Sequence, residues 1–157
     1  MEKVPMTSEG YIRLRDELKN LKFVERPAVV KAIAEARGHG DLSENAEYYA
    51  ARDRQSFIEG RLAELEDIIS RCEVIDIRKL KGETVTFGVI VEIVDEETNE
   101  VTSYKIVGPY EADISRGFIS TASPIARALI GKRVGESVEV TTPNGAKVFN
   151  IISIAIA

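Results

Sequence analysis

Cysteine is almost missing from this chain. Cys72 stands alone, so no intramolecular disulfide can form, which fits a reducing compartment. Histidine also occurs once, at His39, which excludes a histidine-rich zinc site. Tryptophan is absent, and no apolar run approaches the roughly 20 residues that a membrane span requires. The first residues, MEKVPMTSEG, contain no apolar core of a secretory signal. A basic excess is missing too: residues 1–78 hold 13 basic and 16 acidic side chains, and the remainder hold 8 and 10. A protein that grips duplex DNA by neutralising many phosphates needs a basic face, so tight, direct DNA binding is a poor first reading. What remains is a soluble cytoplasmic protein of 157 residues with net charge −5, long enough for one ordinary core or a small domain plus an extended element.

The first half reads as two helices. Thr7 and Ser8 offer a helix cap, followed by Ile12, Leu14, Leu18, Leu21 and Val24 at helical spacing. Pro27 lacks an N–H and biases Arg26 away from helix, which predicts a kink or a fresh start there. Val30, Ile33, Ala34 and Arg37 continue a helical face, and Gly38 and Gly40 end it. In the second helix Tyr48, Ala51, Gln55, Ile58, Leu62, Leu65, Ile69 and Cys72 recur in alternating steps of three and four, a heptad seam with one polar position. A short glycine-containing turn between two such helices predicts an antiparallel hairpin. Some 30 helical residues extend roughly 45 Å, so HGDLSEN (39–45) is expected at the tip of a rod. From periodicity alone the seam fits a stalk or a dimerisation surface.

After residue 76 the pattern turns to strands. VTFGVIVEIVD (85–95) and VTSYKIVG (101–108) are rich in β-branched residues and flank an acidic turn. SPIARALIG (123–131) reads as a short helix with Ser123 as cap, Pro124 at the first position and Gly131 as terminator. VEVTT (138–142) and AKVFNIISIAI (146–156) are two further strands joined through Pro143-Asn144-Gly145. The expected fold class is α+β: an N-terminal antiparallel two-helix coiled coil over 1–76, then a small domain with an antiparallel sheet over 79–157.

The tip carries the chemistry. Asp41 and Glu44 stand three residues apart ahead of a helix, and two readings are open. The first is a capping box, favoured by the helix dipole at about 0.3–1 kcal/mol for each carboxylate. The second is metal chemistry. Carboxylate oxygens suit Mg²⁺, which is usually held by one or two protein carboxylates with phosphates and water. Two acids cannot close such a site, but they can complete one whose other ligands belong to a partner. Arg37 and Arg52 bracket the tip, either as ordinary surface charge or as forks for a phosphate backbone. Tyr48 belongs to the seam and reads as packing, Tyr49 faces outwards, and His39 reads as a solvated loop residue.

AIAEARGHGDLSENAEYYAAR (32–52) closely resembles the signature of the bacterial Gre transcript cleavage factors. IVGPYEAD (106–113) and SPIARALIGKRVGESVEV (123–140) resemble that family's second signature, and the likeness runs from about residue 4 to the end. The modest charge of the N-terminal half is similar to the branch that lacks a large basic patch. The resemblance implies a C-terminal domain like the FK506-binding proteins and a monomer that acts with bacterial RNA polymerase in transcription elongation. It implies that the coiled coil enters the polymerase secondary channel, that Asp41 and Glu44 hold a Mg²⁺ jointly with polymerase, and that the backtracked RNA 3′ end is cut. By the same resemblance Arg37 and Arg52 contact that RNA, Ser123 and Pro124 contact polymerase, and the factor is not itself an enzyme. A channel-binding inhibitor of the same architecture is the nearest rival. An isomerase or chaperone is disfavoured because the second half offers only Phe87, Tyr104, Tyr110, Phe118 and Phe149 to line an aromatic pocket. A free-standing nuclease is disfavoured by having only two carboxylates.

Overall fold

A computed structural model describes residues 2–40 and 44–156. The chain divides into two compact units, one formed by Tyr11–Cys72 and the other by Glu2–Gly10 with Glu73–Ala157. The expected division into 1–76 and 79–157 differs from this one at the N-terminus. There Val4–Thr7 (β1) pairs with Cys72–Ile75 (β2) in a two-stranded sheet, which draws the first residues to the second unit.

Helix α1 runs Ser8–Asn20 and α2 runs Arg26–Arg37. Between them Leu21–Glu25 forms a π-helical turn, closed by a bond from the Arg26 N–H to the Leu21 carbonyl. Pro27 therefore neither breaks nor restarts the helix: it sits in the first turn of α2, after the widened turn, where its missing N–H is tolerated. The extra residue of that turn rotates everything beyond it. The buried face of α2 is Val29, Ile33 and Ala36, whereas the expected Val30, Ala34 and Arg37 are exposed. Ile12 and Val24, also read as core, are exposed.

Helix α3 spans Ala46–Arg71 and buries Ile58, Leu62, Leu65 and Ile68. It runs antiparallel to the first arm, as the cross-links descend in order: Arg61 to Glu17, Arg26 to Glu59, and Asn45 to Ala36. Arg61 is gripped by Glu17 through bonds of 2.6 and 2.9 Å and by Glu64 at 2.8 Å. The Arg61 hydrogen bond holds the Glu17 carboxyl below its ordinary value; partial burial opposes it, and the charges of Arg61 and Arg13 add to it. A depressed folded value means that this stabilisation is present above the unfolded carboxylate range and is lost as pH falls through the folded value. Thermal melts of wild type and Glu17→Gln should therefore differ at neutral pH and converge on the acid side. The gap should be small, because the pair is partly exposed and screened. A gap that persists in acid would refute this account.

In the second unit five strands form one sheet in the order β5-β4-β3-β7-β6. They are Val89–Asp95 (β3), Val101–Val107 (β4), Phe118–Ser120 (β5), Ser137–Thr142 (β6) and Gly145–Ile156 (β7). The sheet is antiparallel except for β4 and β5, which pair in parallel, a departure from the all-antiparallel expectation. On β3 the residues alternate, with Val89, Val91 and Ile93 turned into a core shared with Ile106, Ile119 and Ile151. Pro124–Leu129 (α4) covers that core through Ala126 and Leu129. The class is α+β, as expected. Among the described residues no helix is long and apolar enough to cross a membrane.

Candidate functional site

The tip of the hairpin is built from the end of α2 and the start of α3. After Arg37 the helix tightens, with the Gly38 N–H donating to the Glu35 carbonyl and the His39 N–H to the Ala36 carbonyl, both at 3.1 Å. Gly40 follows with φ +107°, a left-handed conformation in which a side chain would be strained. Asp41 lies outside the described residues, as do Leu42 and Ser43.

The cap of α3 is Asn45. Its Oδ1 accepts the Tyr48 N–H at 3.0 Å, and its Nδ2 donates to the Ala36 carbonyl at 2.6 Å. One amide thus satisfies an orphan donor of α3 and gives the Ala36 carbonyl of α2 a second donor beside the His39 N–H, tying the two helices together beside the turn. This corrects the capping-box reading at Glu44, while the part that reading gave to Asp41 lies outside the described residues. Glu44 precedes the cap instead of occupying the third helical position, so it is not the reciprocal partner of such a box. Glu44 is exposed, and among the described residues no hydrogen bond or ion pair engages its carboxylate. It lines an open depression with His39, Asn45, Ala46 and Glu47. His39 does more than the sequence suggested: its Nδ1 stands 3.6 Å from a Glu47 carboxylate oxygen.

Among the described residues no three His, Cys, Asp or Glu side chains are arranged to hold a metal. The exposed Glu44 carboxylate offers oxygen donors of the kind that hard cations take.

Arg37 and Arg52 meet at Tyr48. The Tyr48 hydroxyl accepts from Arg52 Nη1 at 3.2 Å, and the Arg52 guanidinium carbon lies 5.9 Å from the centre of its ring. The Arg37 guanidinium beside that hydroxyl is the largest cause of a phenol pKa held below its ordinary value; partial burial opposes the shift, and the charge of Arg52 adds to it. Beside them Val30, Ile33, Ala34 and Gln55 complete a shallow groove. The seam position of Tyr48 predicts packing and nothing of this contact. Its four-residue spacing from Arg52 was the available signal, but the Arg37 contact crosses between helices and no local pattern shows it. The cap at Asn45 is obscured in the sequence by Asp-x-x-Glu just upstream, which mimics one.

In the second unit the Ser123 Oγ accepts the Ala126 N–H at 3.2 Å and so caps α4, with Pro124 exposed at its first position, as the sequence predicted.

Comparison with known proteins agrees with this layout. Residues 4–74 match the family model "Transcription elongation factor, N-terminal", and residues 80–156 match "Transcription elongation factor, GreA/GreB, C-term". Transcription elongation factor GreA of Rhodospirillum rubrum is 63% identical over 151 residues, 96% of each chain. The same-named protein of Phenylobacterium zucineum is 60% identical over 154 residues, 98% of each. Among solved structures, GreA factor homolog 1 of Thermus thermophilus is 32% identical, with 98% of this chain and 99% of that one aligned at a TM-score of 0.46. The chain belongs to the GreA/GreB family of transcription elongation factors, on its GreA branch.

Proposed function

We propose that this protein binds bacterial RNA polymerase, passes its helical hairpin into the secondary channel and stimulates cleavage of the backtracked RNA 3′ end. The observation that carries the reading is Glu44, exposed ahead of the Asn45 cap with its carboxylate unengaged among the described residues. A carboxylate exposed at a hairpin tip and unengaged among the described residues is suited to a site completed by another molecule. Asp41 is its partner in this proposal.

The factor is a monomer of the cytoplasm and not an enzyme by itself. Asp41 and Glu44 supply oxygen donors for a Mg²⁺ held jointly with polymerase, and they orient the attacking water. Mg²⁺, when bound there, stabilises the attacking and leaving oxygens of in-line phosphodiester hydrolysis. Arg37 and Arg52 hold the extruded RNA through its phosphates, with forked donors that match phosphate geometry. Ser123 and Pro124, at the exposed start of α4, contact polymerase.

The test is a purified, deliberately backtracked elongation complex supplied with Mg²⁺ and this protein. Short 3′ RNA fragments should be released and elongation should resume, while the protein incubated with RNA alone should leave it intact. Slower elongation without fragment release would overturn the proposal in favour of an inhibitor. Cleavage of RNA in the absence of polymerase would make the protein a nuclease in its own right.

A further inference from the structure

We infer that Tyr48 is a positioning residue, whose hydroxyl holds the Arg52 guanidinium beside Arg37 of the neighbouring helix, so that the two form one phosphate-binding fork along the groove they share. Arg37 is the last residue of α2, and Arg52 lies in the second turn of α3. Both side chains are long and rotamer-rich, so holding either in one place has an entropic cost. Their like charges also oppose juxtaposition. A neutral acceptor that fixes one of them beside the other offsets both in part, and a phenol oxygen is such an acceptor.

The tyrosine is itself held firmly. Its backbone N–H is bound at 3.0 Å by Asn45, the residue that also ties α3 to the end of α2. Its ring is half-buried in the hairpin and packs edge-on against Tyr49, with ring centres 5.6 Å apart. The Arg52 guanidinium lies within cation–π range of the same ring. The hydroxyl is therefore a fixed post that holds Arg52 beside Arg37. Alongside, Val30 and Ala34 give the groove an apolar wall against which a ribose or base next to the bound phosphate can rest.

This inference rests on the reading that Arg37 and Arg52 receive RNA, and one experiment separates the two. A backtracked complex carrying a photo-crosslinkable nucleotide at the RNA 3′ end is mixed with wild type, Tyr48→Phe, Arg37→Ala/Arg52→Ala and the triple variant. Tyr48→Phe keeps the ring and its packing, so its thermal midpoint and polymerase binding should match wild type. Its crosslink yield should fall about five- to tenfold, the scale of one lost intramolecular hydrogen bond. The arginine pair should lose at least as much, and adding Tyr48→Phe to it should change nothing further. Wild-type yield from Tyr48→Phe would overturn the inference. An equal additional loss in the triple variant would overturn it as well, since the tyrosine would then act independently of the arginines. Wild-type yield from the arginine pair would sink the RNA reading itself, and the inference with it.

Discussion

Replacing Asp41 and Glu44 together by alanine is expected to lower fragment release from a backtracked complex by roughly 100-fold or more, with polymerase binding unchanged. The size follows from the role. Metal-assisted stabilisation of a phosphoryl transition state is worth several kcal/mol, and about 1.4 kcal/mol accounts for each factor of ten. Losing both partner-donated oxygens should remove at least about 3 kcal/mol of that. The fold should not notice at Glu44. The α3 cap is Asn45, and the Glu44 carboxylate is exposed and unengaged among the described residues, so its removal should shift stability by no more than about 0.5 kcal/mol. Glu44→Gln should be nearly as inactive as Glu44→Ala, because it keeps the shape and loses the charge. Raising the Mg²⁺ concentration should restore part of the activity to either single variant, whose defect is ion affinity. Calorimetry and fragment release must be measured together. Wild-type cleavage by the double variant, or a thermal midpoint that falls along with the activity, would return these acids to a structural role.

Much of the hairpin was legible because a heptad repeat carries its own register. Ile58, Leu62 and Leu65 are buried where the seam put them. At its end Ile68 is buried and Ile69 only half-buried; with two adjacent isoleucines, periodicity alone does not choose, and packing does. The first arm was harder. A π-helical turn inserts one residue without any composition mark, so the α2 face lay one step from the expected one, and Pro27 was the only hint. The strands β1 and β2 were missed for a different reason. Each has four residues, one contains Pro5 and the other follows directly on a 26-residue helix, so neither shows a strand pattern. The parallel pairing of β4 with β5 is a tertiary fact that no local run contains. At the tip the residue types were readable and their company was not. Glu44 was named from its spacing, whereas the Asn45 link to Ala36 and the meeting of Arg37 with Tyr48 exist only once two helices are side by side.

Glu111→Ala should destabilise the second unit by about 3 kcal/mol, read as a lower urea midpoint. Glu111 lies in IVGPYEAD, the segment behind the second family resemblance, and it is buried. A buried carboxylate must be hydrogen-bonded to be tolerated, and this one is. One oxygen accepts the Thr7 N–H at 2.8 Å and the Gly108 N–H at 3.4 Å, and the other accepts the Thr7 hydroxyl. The Thr7 hydroxyl in turn accepts the Gly10 N–H at 3.0 Å, which caps the start of α1. Truncation would strand the Thr7 and Gly108 donors in a buried place, each at a cost of about 1–3 kcal/mol before relaxation. Glu111→Gln should cost only about 1 kcal/mol, since its oxygen can still serve Thr7 and Gly108 while its amide faces the hydroxyl. The glycines make the test sharper. A Cβ on Gly10 would collide with the Glu111 carboxylate, and one on Gly108 would collide with the Pro5 carbonyl. Gly10→Ala should therefore be severe in wild type yet nearly free of further cost in Glu111→Ala, where the obstructing carboxylate is gone, a strongly non-additive pair. Gly108→Ala meets backbone that cannot yield, so it should remain severe in both backgrounds. Additive losses for Gly10→Ala and Glu111→Ala would mean that the carboxylate does not occupy the space beside Gly10, and that β1 is pinned by something other than Glu111.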